Sequence, residues 1–167
     1  MDNKQRHEES ICKRFIFLYN LLGNQLDFLR LGNPNIKEPD CICTNNVAIE
    51  LVDVFDNAYQ AEKLWNEVRN MKIKSKPNFL LKSLSDLSPT IGNKLYKLNN
   101  GNYNGFSGKL LLVCHLQSPL ITDKEVELYL KEYSTFRGDD AFEKYFDEIW
   151  ISWKSDNKSG WKISKLE

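Results

Sequence analysis

"EPDCICTNNVAIELVDVF", residues 38–55, places two short apolar segments on either side of a polar break, and each carries one carboxylate, Asp40 in the first and Glu50 in the second. The Ile/Val content on both sides of Thr44-Asn45-Asn46 predicts a β-hairpin over roughly 38–43 and 47–54. Side-chain direction in a hairpin follows from loop length. With a loop of Asn45-Asn46 alone, Cys41 faces Glu50 and the two acids fall on opposite sides of the sheet. With Thr44 added to the loop, Cys43 faces Val47 and Asp40 lies directly across from Glu50. In that register their Cβ atoms are ~5 Å apart, where like charges destabilise a sheet unless something neutralises them. A divalent cation does so, since Mg2+ takes carboxylate oxygens and keeps several waters. Solvation or lysine partners at the sheet ends are the alternative.

Outward from the hairpin, the period of the apolar residues changes several times. Ile11, Phe15, Leu18, Leu22, Leu26 and Leu29 recur at spacings of three and four, which predicts a helix over residues 5–30, stopped by "LGNPN" at 31–35. After the hairpin, "DNAYQAEKLWNEVRNMKIKS" predicts a second helix with an Asp/Asn cap, interrupted at Pro77, and a further helical piece spans about 79–99. "NNGNYNGFSG" at 99–108 reads as a connector. "KLLLVCHL" at 109–116 is apolar almost throughout, as in a central strand covered on both faces. A helix follows, "TDKEVELYLKEYSTF", with Thr122 and Glu125 in capping-box spacing. "DEIWISWK" and "GWKISKLE" close the chain as two strands joined by "SDNKSG". The expected fold is α/β, one mixed sheet flanked by helices in a single domain over 1–167.

Lys plus Arg and Asp plus Glu number 23 each, so no global field recruits nucleic acid or an anionic membrane, and a nucleic-acid partner needs local basic patches. The densest is "KIKSK", where Lys72, Lys74 and Lys76 are candidates for phosphate-backbone contacts, with a solvated helix end as the plainer reading. The opening "MDNKQRHEES" is polar and the apolar runs are far too short to cross a bilayer, so a cytoplasmic protein without a membrane partner is expected. Cys12, Cys41, Cys43 and Cys114 form no C-x-x-C pair, and His7 and His115 are not spaced as zinc partners; the cysteines read as buried, reduced thiols, with Cys41 and Cys43 on one strand face. His115 reads as structural, and Trp150 and Trp153 place aromatic surface on both faces of their strand. No Gly-rich phosphate loop, G-x-S-x-G elbow or Cys/His nucleophile pair occurs.

A helix, then Pro39-Asp40, then a hairpin entering "IELV" at 49–52 resembles the core of the PD-(D/E)xK, restriction-endonuclease-like nuclease superfamily, over roughly residues 8–116. The resemblance implies an α-β-β-β-α-β core and hydrolysis of DNA phosphodiester bonds. It also implies Mg2+ (or Mn2+) held by Asp40, Glu50 and the backbone carbonyl of Leu51. The chain departs from the pattern at Val52, where the family usually has lysine. Some members take a polar residue from the following helix, and Lys94 and Lys97 in "IGNKLYKL", i and i+3 on one helical face, are the candidates. Glu9 stands where some members carry an additional acid, although its pattern is that of a surface residue, and Asp53 should point away from Glu50. A homodimer or a protein partner is also in keeping with a chain of this size. The competing expectation is a nuclease-like sheet without activity that binds protein or nucleic acid, favoured by Val52 and the zero net charge.

Overall fold

A computed structural model of the chain describes residues 1–54, 106–117, 121–136 and 146–166. In chain order these form α1 (Asn3–Leu21), β1 (Phe28–Leu31), a 3-10 turn (Pro34–Ile36), β2 (Cys41–Cys43), β3 (Val47–Val54), β4 (Lys109–Leu116), α2 (Asp123–Phe136), β5 (Glu148–Lys154) and β6 (Trp161–Lys165). The helices expected from Asp56 to about residue 99 lie outside the described residues.

α1 starts earlier and stops earlier than its apolar spacing predicts. Asp2 caps it, accepting the Gln5 N–H at 2.8 Å while the Gln5 side chain accepts the Asp2 N–H at 3.0 Å. At the other end Gly23 turns the chain at φ +94°, and the Asn20 side chain bonds both backbone groups of Leu26. Leu26 therefore returns to the core beneath α1 without being helical, which is why it keeps the helical spacing, whereas Leu29 belongs to β1 and is exposed.

The six strands form one mixed sheet in the order β1-β2-β3-β4-β5-β6. β1, β2 and β3 form an antiparallel meander, β3, β4 and β5 run parallel, and β6 returns antiparallel to β5. Successive side chains alternate between the faces. On one face Ile49, Leu51, Leu111, Val113 and Trp150 pack against Ile11, Phe15 and Tyr19 of α1. On the other, Val52, Leu112, Cys114, Ile149, Ile151 and Trp153 pack against Val126 and Tyr129 of α2. β4 is buried on both sides, which accounts for its unbroken apolar run. α2 has the expected capping box, the Thr122 N–H donating to Glu125 at 3.1 Å and the Glu125 N–H to the Thr122 hydroxyl at 3.3 Å.

Two cysteines depart from the reduced state expected of all four. Cys12 and Cys41 form a disulfide joining α1 to β2, and Cys43 and Cys114 are free and buried. Cys12 lies on the buried stripe of α1 over β2, a contact between positions 29 apart in the chain that Cys spacing does not reveal. Cys41 and Cys43 do share a face, and burial pushes the Cys43 thiol up to about 12.

Among the described residues, no helix is long and apolar enough to cross a membrane.

Candidate functional site

The β2–β3 pairing sets Cys41 opposite Ile49 and Ile42 opposite Ala48. Continued by one residue, this register puts Asp40 opposite Glu50, as the loop Thr44-Asn45-Asn46 requires. The loop closes with the Val47 N–H on the Thr44 carbonyl at 3.2 Å, and Asn45 and Asn46 take left-handed φ values of 58° and 55°, which Asn tolerates better than most residues. Thr44 is tied to Asp27 through its N–H and its hydroxyl, each at 2.9 Å.

β2 begins only at Cys41, so among the described residues the β3 backbone beyond Glu50 has no strand partner on that side. The Asp40 side chain substitutes for one: its Oδ2 accepts the Leu51 N–H at 2.8 Å. The Asp40 N–H lies 3.4 Å from Glu50 Oε2, at the long limit of a hydrogen bond. Glu50 is 2 % exposed, the largest charged side chain in the interior of the sheet, and Asp40 is half-buried. The approach to Asp40 is held by Glu38, which takes both guanidinium branches of Arg30 at 2.6 and 2.8 Å and the Asn33 N–H at 2.8 Å. Those bonds, Arg30 first, lower the Glu38 carboxyl to about 2.

A third acid, Glu8, lies within electrostatic reach of Asp40. Glu8 and Glu9 are half-buried alike, and each pairs with a lysine one turn away along the helix, Lys4 and Lys13. Desolvation first, then the Asp40 charge, raises the Glu8 pKa; the Lys4 ammonium, 3.4 Å away, opposes both. Lys4 also feels Asp40, which helps to raise its own pKa. The sequence did carry a signal for Glu8, since it falls in the row of Cys12, Phe15 and Tyr19 at helical spacing.

The carboxyl ends of the parallel strands hold further polar groups. Asp53 pairs in register with His115. As expected, it points away from Glu50, toward α1, where its carboxylate receives Gln117 Nε2 at 2.8 Å and lies 3.6 Å from His7 Nε2. Gln117 also contacts His7 at 2.9 Å. His115 is 2 % exposed, and burial lowers its pKa to about 4 against the opposing charge of Asp53. In open parallel sheets, ligands bind outside these carboxyl ends.

Of the expected site residues, Asp40, Glu50 and Leu51 come together. Lys94 and Lys97, and the basic stretch Lys72, Lys74 and Lys76, lie outside the described residues. Val52 packs in the apolar cluster with Leu112 and Cys114, so position 52 brings no cation to the acids. Among the described residues no group of three or more His, Cys, Asp or Glu side chains is spaced to hold a metal ion. The donor chemistry of Asp40, Glu50 and the Leu51 carbonyl nevertheless suits a hard cation that keeps most of its waters and takes one or two carboxylates from protein. Glu50 is also a buried carboxylate set opposite a second carboxylate.

No protein-family model, curated protein or solved structure matches the chain.

Proposed function

We propose that this protein is a metal-dependent nuclease with a restriction-endonuclease-like core, hydrolysing phosphodiester bonds in DNA, with Asp40, Glu50 and the Leu51 carbonyl as ligands for Mg2+ or Mn2+. The observation that carries this reading is a buried Glu50, midway along β3, set opposite Asp40. Support also comes from the order α1, an antiparallel three-strand meander, and a fourth strand parallel to the third. A bound Mg2+ supplies an acidified water and charge stabilisation at the phosphorus. The chain's own residues do the rest. The Leu51 N–H fixes one oxygen of Asp40, so that carboxylate is oriented before any ligand arrives. Glu8, with its raised pKa, is suited to hold or accept a proton near Asp40. The cation that position 52 lacks is assigned to Lys94 or Lys97.

The test is incubation of circular DNA with Mn2+ and the wild-type, Asp40→Ala or Glu50→Gln protein. Nicking by the wild type that disappears in both variants supports the assignment. Cleavage unchanged in either variant removes it.

The buried, apolar environment of Val52 favours a second reading, a nuclease-like sheet that binds protein or nucleic acid without cutting. A thermal-shift titration with Mn2+ and Mg2+ separates the two, since a ligand that binds only the folded state raises its midpoint. The binding module predicts no metal-dependent shift, and no change in that response on Glu50→Gln.

A further inference from the structure

On the sheet face that meets α1, at the same end of the strands as Asp53, lies a cation without an acid partner among the described residues. Arg14 follows His7 and Ile11 at the i, i+4, i+7 spacing of one helix face. Its guanidinium lies over the Trp161 indole, 3.6 Å from the ring centroid. Arginine brings five N–H donors in a rigid plane. Among the described residues none of them meets a carboxylate, and Nε is buried with no hydrogen-bond partner. Burial is the sole cause that depresses the Arg14 pKa, as expected where no acid compensates its charge.

His115 stacks on the same indole, 4.9 Å between centroids and 28° between planes, and its Nδ1 is likewise buried and without a partner. The Arg14 charge reaches His115, which places the two groups in one electrostatic neighbourhood. His7 stands edge-on to His115 at 6.3 Å. The acid that also reaches His115, Asp53, is already engaged by Gln117 and His7. Arg14 Nε and His115 Nδ1 are closed off from solvent, and both side chains stack on the one Trp161 ring.

We propose that the two Nη groups of Arg14, held flat by Trp161, form a subsite for a phosphate group. A planar guanidinium binds a tetrahedral oxyanion through paired hydrogen bonds. That the site takes an anion follows from a fixed cation that no acid among the described residues neutralises. That the anion is phosphate rather than carboxylate rests on the nuclease reading, because the subsite lies at the strand ends where a phosphodiester chain would pass. The substrate would then meet the Arg14 cation toward α1 as well as the acids Asp40 and Glu50 further back along β3.

The test is run in EDTA, without metal, so that its failure is distinct from failure of the nuclease assignment. Inorganic phosphate is titrated at constant ionic strength, with acetate as the competing anion, and binding is read by calorimetry and thermal shift. A short single-stranded oligodeoxynucleotide, with and without a 5′-phosphate, separates backbone from terminal or free phosphate. Saturable binding of phosphate, weakened about tenfold or more in Arg14→Gln and less in Arg14→Lys, supports the subsite. No saturable binding, an equal response to acetate, or equal affinity in Arg14→Gln overturns it. If Arg14→Gln does not fold, the His115 ring resonances of the unmodified protein decide. They move with added phosphate if the subsite exists and stay fixed if it does not.

Discussion

The carboxylate of Asp40 holds the backbone N–H of Leu51 at 2.8 Å, so the acid that begins the hairpin also takes up a backbone donor of its second strand. The two roles separate by substitution. Asp40→Asn keeps an acceptor for Leu51 and should leave stability within about 0.5 kcal/mol of wild type, while Asp40→Ala orphans that N–H and should cost about 1–2 kcal/mol. Both should lower cleavage on the order of a hundredfold or more, because neither offers the metal a carboxylate. Urea titrations beside plasmid nicking assays check the split.

Glu50→Gln should reduce or abolish any rise in melting midpoint that Mn2+ produces in the wild type, because the amide no longer offers a cation a carboxylate. Thermal-shift titrations of both proteins from a common EDTA-treated stock check this; an equal Mn2+ response in the two would remove Glu50 from the ligand set.

The Cys12–Cys41 bond closes a loop of sequence separation 29. Chain-entropy arguments give such a closure about 3–4 kcal/mol of stabilisation. Cys12→Ser combined with Cys41→Ser should lower the melting midpoint by roughly 6–16 °C, since a domain of this size loses about 2–4 °C per kcal/mol. Calorimetry with and without a dithiol reductant checks this, and the reduced wild type should melt near the double variant.

His115 should make the protein sensitive to mild acid. Its folded pKa of about 4 lies below the unfolded value near 6.5, so between those values the unfolded chain binds more protons than the folded one. Its contribution is therefore intact above pH 6.5 and is lost as the pH falls toward 4, by roughly 3 kcal/mol in total. The difference in stability between wild type and His115→Phe, measured by denaturant at pH 7 and pH 4, isolates this term from the carboxylates. A difference independent of pH would reject it.

Asp123 ties the start of α2 to the β5–β6 hairpin. Its carboxylate accepts the Trp153 indole N–H at 2.9 Å, the Ser155 hydroxyl at 2.7 Å and the Lys162 ammonium at 2.7 Å, and these bonds, Lys162 first, lower its pKa to about 2. Asp123→Ala leaves the largely buried Trp153 N–H and Ser155 hydroxyl without that acceptor and should destabilise by about 2–3 kcal/mol. Lys162→Ala, which removes only a partly exposed ion pair, should cost under about 1 kcal/mol.

What could be read from the chain divides by distance along it. β4 was legible because burial on both faces writes a continuous apolar run, and the Thr122–Glu125 box because capping is local. The hairpin allowed two registers, since both Asn45-Asn46 alone and Thr44 with them make acceptable loops; only the observed pairing of Cys41 with Ile49 selects between them. The overlong α1 arose from Leu26, which serves the same core from beyond the helix end. Features that join distant segments are another matter: the helical spacing of Glu8 with Cys12, Phe15 and Tyr19 marks its row on α1 but not its nearness to Asp40. The Cys12–Cys41 bond and the stacking of Arg14 and His115 on Trp161 likewise depend on how α1 lies across the sheet.

Gly32 donates its N–H to the Asp40 carbonyl at 2.8 Å, and a Cβ there would sit 1.8 Å from the Pro39 oxygen. The chain can make this crossing only where it carries no side chain. Relatives of this protein, however far their sequences have drifted, should therefore keep a glycine eight positions ahead of the first site acid. That bare position offers a steadier thread for tracing its lineage than two scattered carboxylates do.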